Sequence, residues 1–295
     1  MTGPVVVGLD GSPASVTAAW WAAQEALDRH LPLLLLHSWT TQPLNVPIPQ
    51  EALSKQRYGG QVLYRTETEL LHRHPELKIT TELVSEPAAK ALLSAGETAT
   101  MLVLGSRGHG SVASFLLGSI SLHVLGLARC PAVTVRAGDP SVEEGWRHAT
   151  AGDRGTVVVG VQENGSFAAP LLEFALGTAR ARGGRVLAVR ALPPSSLMTH
   201  PHAMTEAGAE AWEAEESGRL AAALGPWREK FPDVPLTGQV VRGTAAQVLL
   251  SASTHGGLTV VGRRRHPSPA TWKLGPVAHA ALHHLPCPVA VVPHD

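Results

Sequence analysis

Only two cysteines occur in 295 residues, Cys130 and Cys287. So few thiols leave no disulfide framework and fit a reducing compartment. The chain also lacks a charge excess: 24 Lys and Arg face 24 Asp and Glu, with 15 His near their titration range. Balanced charge removes the electrostatic case for nucleic acid or a polyanionic surface as partner. No apolar run reaches the roughly 18 residues that a membrane-spanning helix needs. The start, MTGPVVVGLDGS, shows no basic segment followed by a signal-type apolar core. The expected location is therefore the cytosol.

What is present is repetition. VVVGLDGS begins at Val5 and VVVGVQENGS begins at Val157, 152 positions later. LVLGSRG ends at Gly108 and TVVGRRR at Arg265, 157 apart, and the same spacing separates Cys130-Pro131 from Cys287-Pro288. Three blocks in one order at near-constant spacing indicate two copies of one domain, joined head to tail. The join falls in the polar, Gly-rich stretch Arg136–Gly155. The expected limits are a first domain over 1–138, a linker over 139–154 and a second domain over 155–295.

Each copy alternates short apolar runs with helical patterns. In the first, Val5–Leu9, Leu33–Leu36, Ile79–Val84, Met101–Leu104 and Ala132–Val135 read as strands. Pro13–His30, Gln50–His74, Pro87–Thr98 and Ser119–Ala128 read as helices, and Thr40–Pro49 as a loop. In the second, strands are expected near 157–161, 186–190, 236–241, 258–261 and 289–292. All-apolar runs belong to strands buried on both faces. Strict β/α alternation predicts an α/β fold, a mainly parallel sheet with helices on both faces. Ligands of such sheets bind beyond the carboxyl ends of the strands, where the winding reverses. If the winding reverses after the third strand, Asp10 and the segment Gly105–Ser121 share one crevice.

That segment, GSRGHGSVASFLLGSIS, is rich in glycine and ends on Gly118-Ser119 before an apolar helix, with Ser119 as the expected N-cap. Free amides at a helix start attract anions, and glycine admits a phosphate closely. Arg107 adds positive charge; Ser119 and Ser121 add hydroxyls. A flexible surface loop with an ordinary helix cap would produce the same residues. Two other phosphate motifs fail. Ser111, not Lys, follows Gly105-x4-Gly110, so there is no Walker loop. Gly108-x-Gly110 lacks the third glycine of a dinucleotide fingerprint and follows the wrong strand.

Gly105-Ser-Arg-Gly108, nine residues, then Gly118-Ser119 gives G-x2-G-x9-G-[ST]. With VVVGLDGSPAS at the start and the tandem repeat, the chain resembles the ATP-binding universal stress proteins over its whole length. The resemblance implies two Rossmann-like domains, similar to the adenine nucleotide alpha hydrolase fold, each with five strands in the order 3-2-1-4-5. It implies that Asp10 meets the ribose or adenine end, that Ser38 offers backbone groups to adenine, and that Leu104 contacts the nucleotide. It implies that Gly105, Arg107, Gly108, Gly118, Ser119, Ile120 and Ser121 surround the ribose and phosphates. It leaves room for Mg²⁺ beside the triphosphate, although no carboxylate cluster marks a place for it. Family members commonly dimerise through their fifth strands, and a tandem chain resembles such a dimer made in one polypeptide; pairing of two chains stays open.

The second copy keeps the spacing and loses the chemistry. Gln162 stands for Asp10, Arg265 for Gly108 and Pro276 for Ser119, while Gly262 and Gly275 persist. Proline has no N–H to offer a phosphate. One ATP site per chain is expected, with Arg263–Arg265 either filling the vacated pocket, holding another anion or forming a solvated basic loop. Histidine pairs such as His279/His283 read as solvent-exposed residues and the two cysteines as buried structural thiols. The leading expectation is a stress-response or regulatory protein in which ATP shifts a conformational population. No general base or metal-binding carboxylate pair announces rapid hydrolysis. A slow ATP hydrolase, a nucleotidyl transferase and a nucleotide-independent interaction module remain as alternatives.

Overall fold

The computed structural model describes residues 3–40, 49–106, 118–140, 142–143, 155–162, 168–193, 205–265, 274–285 and 287–295, with 49–52 as backbone only. Arg107, Gly108, Gly110, Ser111, the loop over 41–48 and most of the expected join (144–154) lie outside the described residues. The chain divides into two compact units, one built on Met1–Thr150 and one on Ala151–Arg265 with Gly275–Asp295.

The first unit alternates β1 (Val5–Leu9), α1 (Pro13–Asp28), β2 (Leu33–Thr40), α2 (Pro49–Arg73), β3 (Ile79–Pro87), α3 (Ala88–Ala95), β4 (Met101–Ser106), α4 (Ser119–Leu127) and β5 (Ala132–Arg136). The strands lie in the order β3-β2-β1-β4-β5, every neighbouring pair parallel. Val5, Val6, Val7, Leu33, Leu35, Met101, Leu102 and Val103 have almost no exposed surface, as residues covered on both faces must. α1 touches α2, and α3 touches α4, giving a helix layer on each side.

The second unit repeats this with β6 (Thr156–Gly160), α5 (Ala169–Ala181), β7 (Arg185–Leu192), α6 (Glu206–Lys230), β8 (Leu236–Arg242), α7 (Ala245–Ala252), β9 (Leu258–Arg264), α8 (Pro276–His284) and β10 (Val289–His294). Its order is β8-β7-β6-β9-β10, again parallel. The repeat extends to single contacts. A Cβ added to Gly8 would meet Leu92 Cδ2 at 3.1 Å, and one added to Gly160 would meet Leu249 Cδ2 at 3.4 Å.

Three strands run further than their apolar cores. β2 continues through His37-Ser38-Trp39-Thr40, β4 through Gly105-Ser106, and β9 through Gly262-Arg263-Arg264. Polar side chains there do not interrupt the backbone ladder: Gly105 pairs with Val135 and Ser106 with Arg136. Gly105 is thus inside β4 rather than at its end. Asp139 and Val142, at the start of the expected polar linker, are buried.

Candidate functional site

In the first unit the carboxyl ends of β1, β2 and β4 stand side by side at the point where the winding reverses. β1 is followed at once by Asp10, whose Oδ1 accepts a hydrogen bond from the Ser12 amide at 2.9 Å. Gly11 between them has φ +81°, a left-handed conformation that glycine adopts freely. Ser12 then caps α1, its hydroxyl accepting from the Ser15 amide at 3.3 Å, and Pro13 takes the first helical position. This tight turn fixes the exposed Asp10 carboxylate at the end of the strand.

β1 stops opposite His37, while β2 runs on to Thr40. The Ser38 hydroxyl, with one proton to donate, lies within hydrogen-bond distance of the carbonyls of both Thr40 (2.8 Å) and Glu86 (2.5 Å), tying the ends of β2 and β3 together. Its side chain is occupied structurally, so any service to a ligand falls to its backbone. His37 is buried and its Nδ1 lies 2.8 Å from the Leu9 carbonyl. Only a protonated Nδ1 can donate to that oxygen. Burial pushes the imidazole below its ordinary value, outweighing the Leu9 carbonyl and Asp10, which act the other way. His37 is therefore neutral near pH 7, with Nε2 as its acceptor face.

Gly105 is dictated by packing. A Cβ there would lie 2.5 Å from the carbonyl carbon of Ala14 and 2.7 Å from the Ser15 amide nitrogen, so only glycine lets β4 pass the first turn of α1. Leu104 beside it is buried, 3.4 Å from where a Gly8 Cβ would stand.

Gly118 differs. Among the described residues no atom lies within 4 Å of a Cβ placed on it, and its φ of −61° suits any residue. It is the N-cap of α4, one residue earlier than Ser119, because Gly118 is extended and Ser119 already helical. Among the described residues no side chain caps this helix. Its first i→i−4 bond runs from the Leu122 amide to the Gly118 carbonyl at 3.0 Å. The amides of Ser119, Ile120 and Ser121 precede it and have no intrahelical acceptor. Gly118, Ser119 and Ile120 are exposed and Ser121 half-exposed. α1, α6 and α7 are each capped by a side chain, from Ser12, Thr205 and Thr244, whereas α3, α5 and α8 share with α4 the lack of a side-chain cap among the described residues. Uncapped amides at a positive helix end are a binding site for an anion.

Three residues of this region escaped the sequence reading: His37, Tyr58 and Gly59. A Cβ on Gly59 would lie 2.6 Å from His37 Cδ2 and 2.7 Å from Leu83 Cδ1, so α2 approaches β2 and β3 at the distance glycine allows. The signal was Gly59-Gly60 within a 25-residue helix, where each glycine costs about 1 kcal/mol and calls for a packing reason.

The second unit fills the corresponding place with charge. α2 and α6 each have 25 residues and begin at Pro49 and Glu206, so Glu216 stands where Gly59 does. By strand register Arg190 stands where His37 does, paired with Val240 as His37 is paired with Leu83. Arg190 Nη2 meets Glu216 Oε2 at 2.9 Å, with both side chains largely buried, and Arg219 holds Glu216 and Glu215 at 2.6 Å each. The sequence left Arg263–Arg265 open as a filling of this place, a site for another anion or a solvated basic loop. Arg263 is buried within β9, Arg264 continues that strand, and exposed Arg265 pairs with Asp295 at 3.3 Å. α8 starts with Gly275 as N-cap and Pro276 first, which removes one of the free amides.

The universal stress protein family model matches residues 1–136 and 154–293. The chain belongs to the universal stress protein family. It is 32% identical over 297 residues to Universal stress protein Rv2005c of Mycobacterium tuberculosis, covering 97% of this chain and 96% of the relative. It is 30% identical over 298 residues to Rv2623 of the same organism, covering 97% and 95%. A universal stress protein structure from Archaeoglobus fulgidus superposes over 100% of both chains with a TM-score of 0.73 at 16% identity. The family's α/β fold, in two tandem domains, is thus established for this chain, as the sequence led one to expect. No helix among the described residues is long and apolar enough to cross a membrane.

Proposed function

We propose that this universal stress protein binds one ATP per chain, in its first unit, and works as a stress-response or regulatory protein rather than as a dedicated enzyme. The observation that carries this reading is the uncapped start of α4. Among the described residues nothing lies within 4 Å of a Cβ on Gly118 and no side chain caps α4, so the amides of Ser119, Ile120 and Ser121 have no intrahelical acceptor at the carboxyl edge of the sheet. Gly275 of α8 is equally open, but Pro276 takes one amide from that helix start. At α4 a phosphate can approach the backbone closely. Asp10 at the end of β1 then serves the ribose or adenine, Ser38 offers its backbone, and Leu104, Gly105, Ser119, Ile120 and Ser121 line the ribose and phosphates. Arg107 and Gly108 complete the phosphate loop in this proposal. Any Mg²⁺ enters with the triphosphate, since no metal-holding group of three or more His, Cys, Asp or Glu side chains occurs among the described residues.

ATP titration of the wild type and of Gly118→Leu tests the proposal. A bulky side chain at position 118 is expected to abolish ATP binding while leaving the far-UV circular dichroism intact. Retained affinity would remove the phosphate-loop reading. Steady-state turnover at enzyme-like rates, lost in Asp10→Ala, would favour a hydrolase or transferase instead.

A further inference from the structure

We propose that Tyr58, on α2, stacks on the base of the bound nucleotide; this rests on the ATP reading of the first unit. Tyr58 is placed for it. A Cβ on Gly11 would stand 2.3 Å from Tyr58 Oη, so the phenol lies over the turn that follows β1. Its ring meets the His37 ring edge-on, centroids 6.2 Å apart at 68°. His37 in turn is held by the Leu9 carbonyl at the carboxyl end of the same strand. Tyr58 is thus anchored on one edge beside the strand ends, yet remains 51% exposed. An aromatic surface left open at a site edge gains hydrophobic and stacking energy when a planar ligand covers it.

The second unit supplies an independent comparison. There Glu215 takes the place of Tyr58, tied to Arg219, while Glu216 and Arg190, which pair with each other, replace Gly59 and His37. The unit whose helix start has lost an amide to Pro276 has also lost the aromatic ring, and its charges satisfy one another. The ring is kept where the phosphate amides are kept. That association points to a ligand with an anionic end and a planar end.

The test is equilibrium titration of the full chain, as wild type, Tyr58→Ala, Tyr58→Phe and Gly118→Leu, with ATP, adenosine and tripolyphosphate, and thermal melts as the folding control. Tyr58→Ala is expected to weaken ATP and adenosine by about 5- to 100-fold, with tripolyphosphate unchanged. Tyr58→Phe, which keeps the ring, is expected to stay within about threefold of wild type for ATP. Gly118→Leu is expected to lose tripolyphosphate. Tyr58→Ala binding ATP as well as or better than wild type, while Gly118→Leu still fails, would overturn the role of Tyr58 and leave the ATP reading standing. Wild type with no measurable affinity for ATP would overturn both.

Discussion

Gly105 lies against the backbone of Ala14, where a Cβ would come within 2.5 Å of the carbonyl carbon. The neighbour is main chain and cannot turn aside. Gly105→Ala is therefore expected to destabilise the first unit by about 1–3 kcal/mol, the usual range for overpacking. Gly262→Ala in the second unit meets side chains instead, His294 and Leu171, and is expected to cost less. Urea unfolding of the two variants gives the comparison; equal losses would contradict it.

Two glycines of one motif thus have opposite origins. Gly105 is required by the fold, whereas among the described residues nothing lies within 4 Å of a Cβ on Gly118. The sequence marked both alike, because a pattern of glycines carries no record of which atom lies opposite. The strand cores were legible for a plain reason: Val5–Leu9 and Met101–Leu104 are apolar on both faces. Their extensions were not. His37-Ser38, Gly105-Ser106 and Arg263-Arg264 look like loop residues, yet their backbones continue the ladder. The Arg190–Glu216 pair was hidden as well, since it joins a strand to a helix and neither residue alone signals the other.

Removing Arg190 leaves the buried Glu216 with the half-exposed Arg219 as its remaining cation. Arg190→Met is expected to destabilise the second unit by about 1–3 kcal/mol, with ATP binding by the first unit unchanged. A joint loss of stability and ATP affinity would contradict the assignment of the site to the first unit.

His37 makes stability depend on pH. Its folded-state pKa lies below the usual value of about 6.5, mainly through burial. As pH falls below that value the unfolded chain takes up the proton first, so stability present above it is progressively lost. His74 is lowered in the same sense by burial. Denaturation midpoints are expected to fall from pH 7.5 to 5, with a shallower slope in His37→Asn. An unchanged slope in that variant would sink the assignment to His37.

Both cysteines are free and buried, and burial pushes the Cys130 thiol up to about 11. Thiol reactivity follows the thiolate fraction. Neither residue is expected to react with a disulfide reagent at pH 8 until the chain is unfolded by denaturant. Rapid modification of the native protein would show a reactive thiol.

The central claim is an asymmetry: one unit presents, among the described residues, helix amides without a side-chain cap and an exposed Asp10, while the other has Pro276 and Gln162 in their places and an Arg190–Glu216 pair where the first has His37 and Gly59. Isothermal titration of the full chain with ATP tests this most directly. The account predicts one ATP per chain, with binding lost in Gly118→Leu. Two equivalent sites, or one site that survives Gly118→Leu, would contradict it.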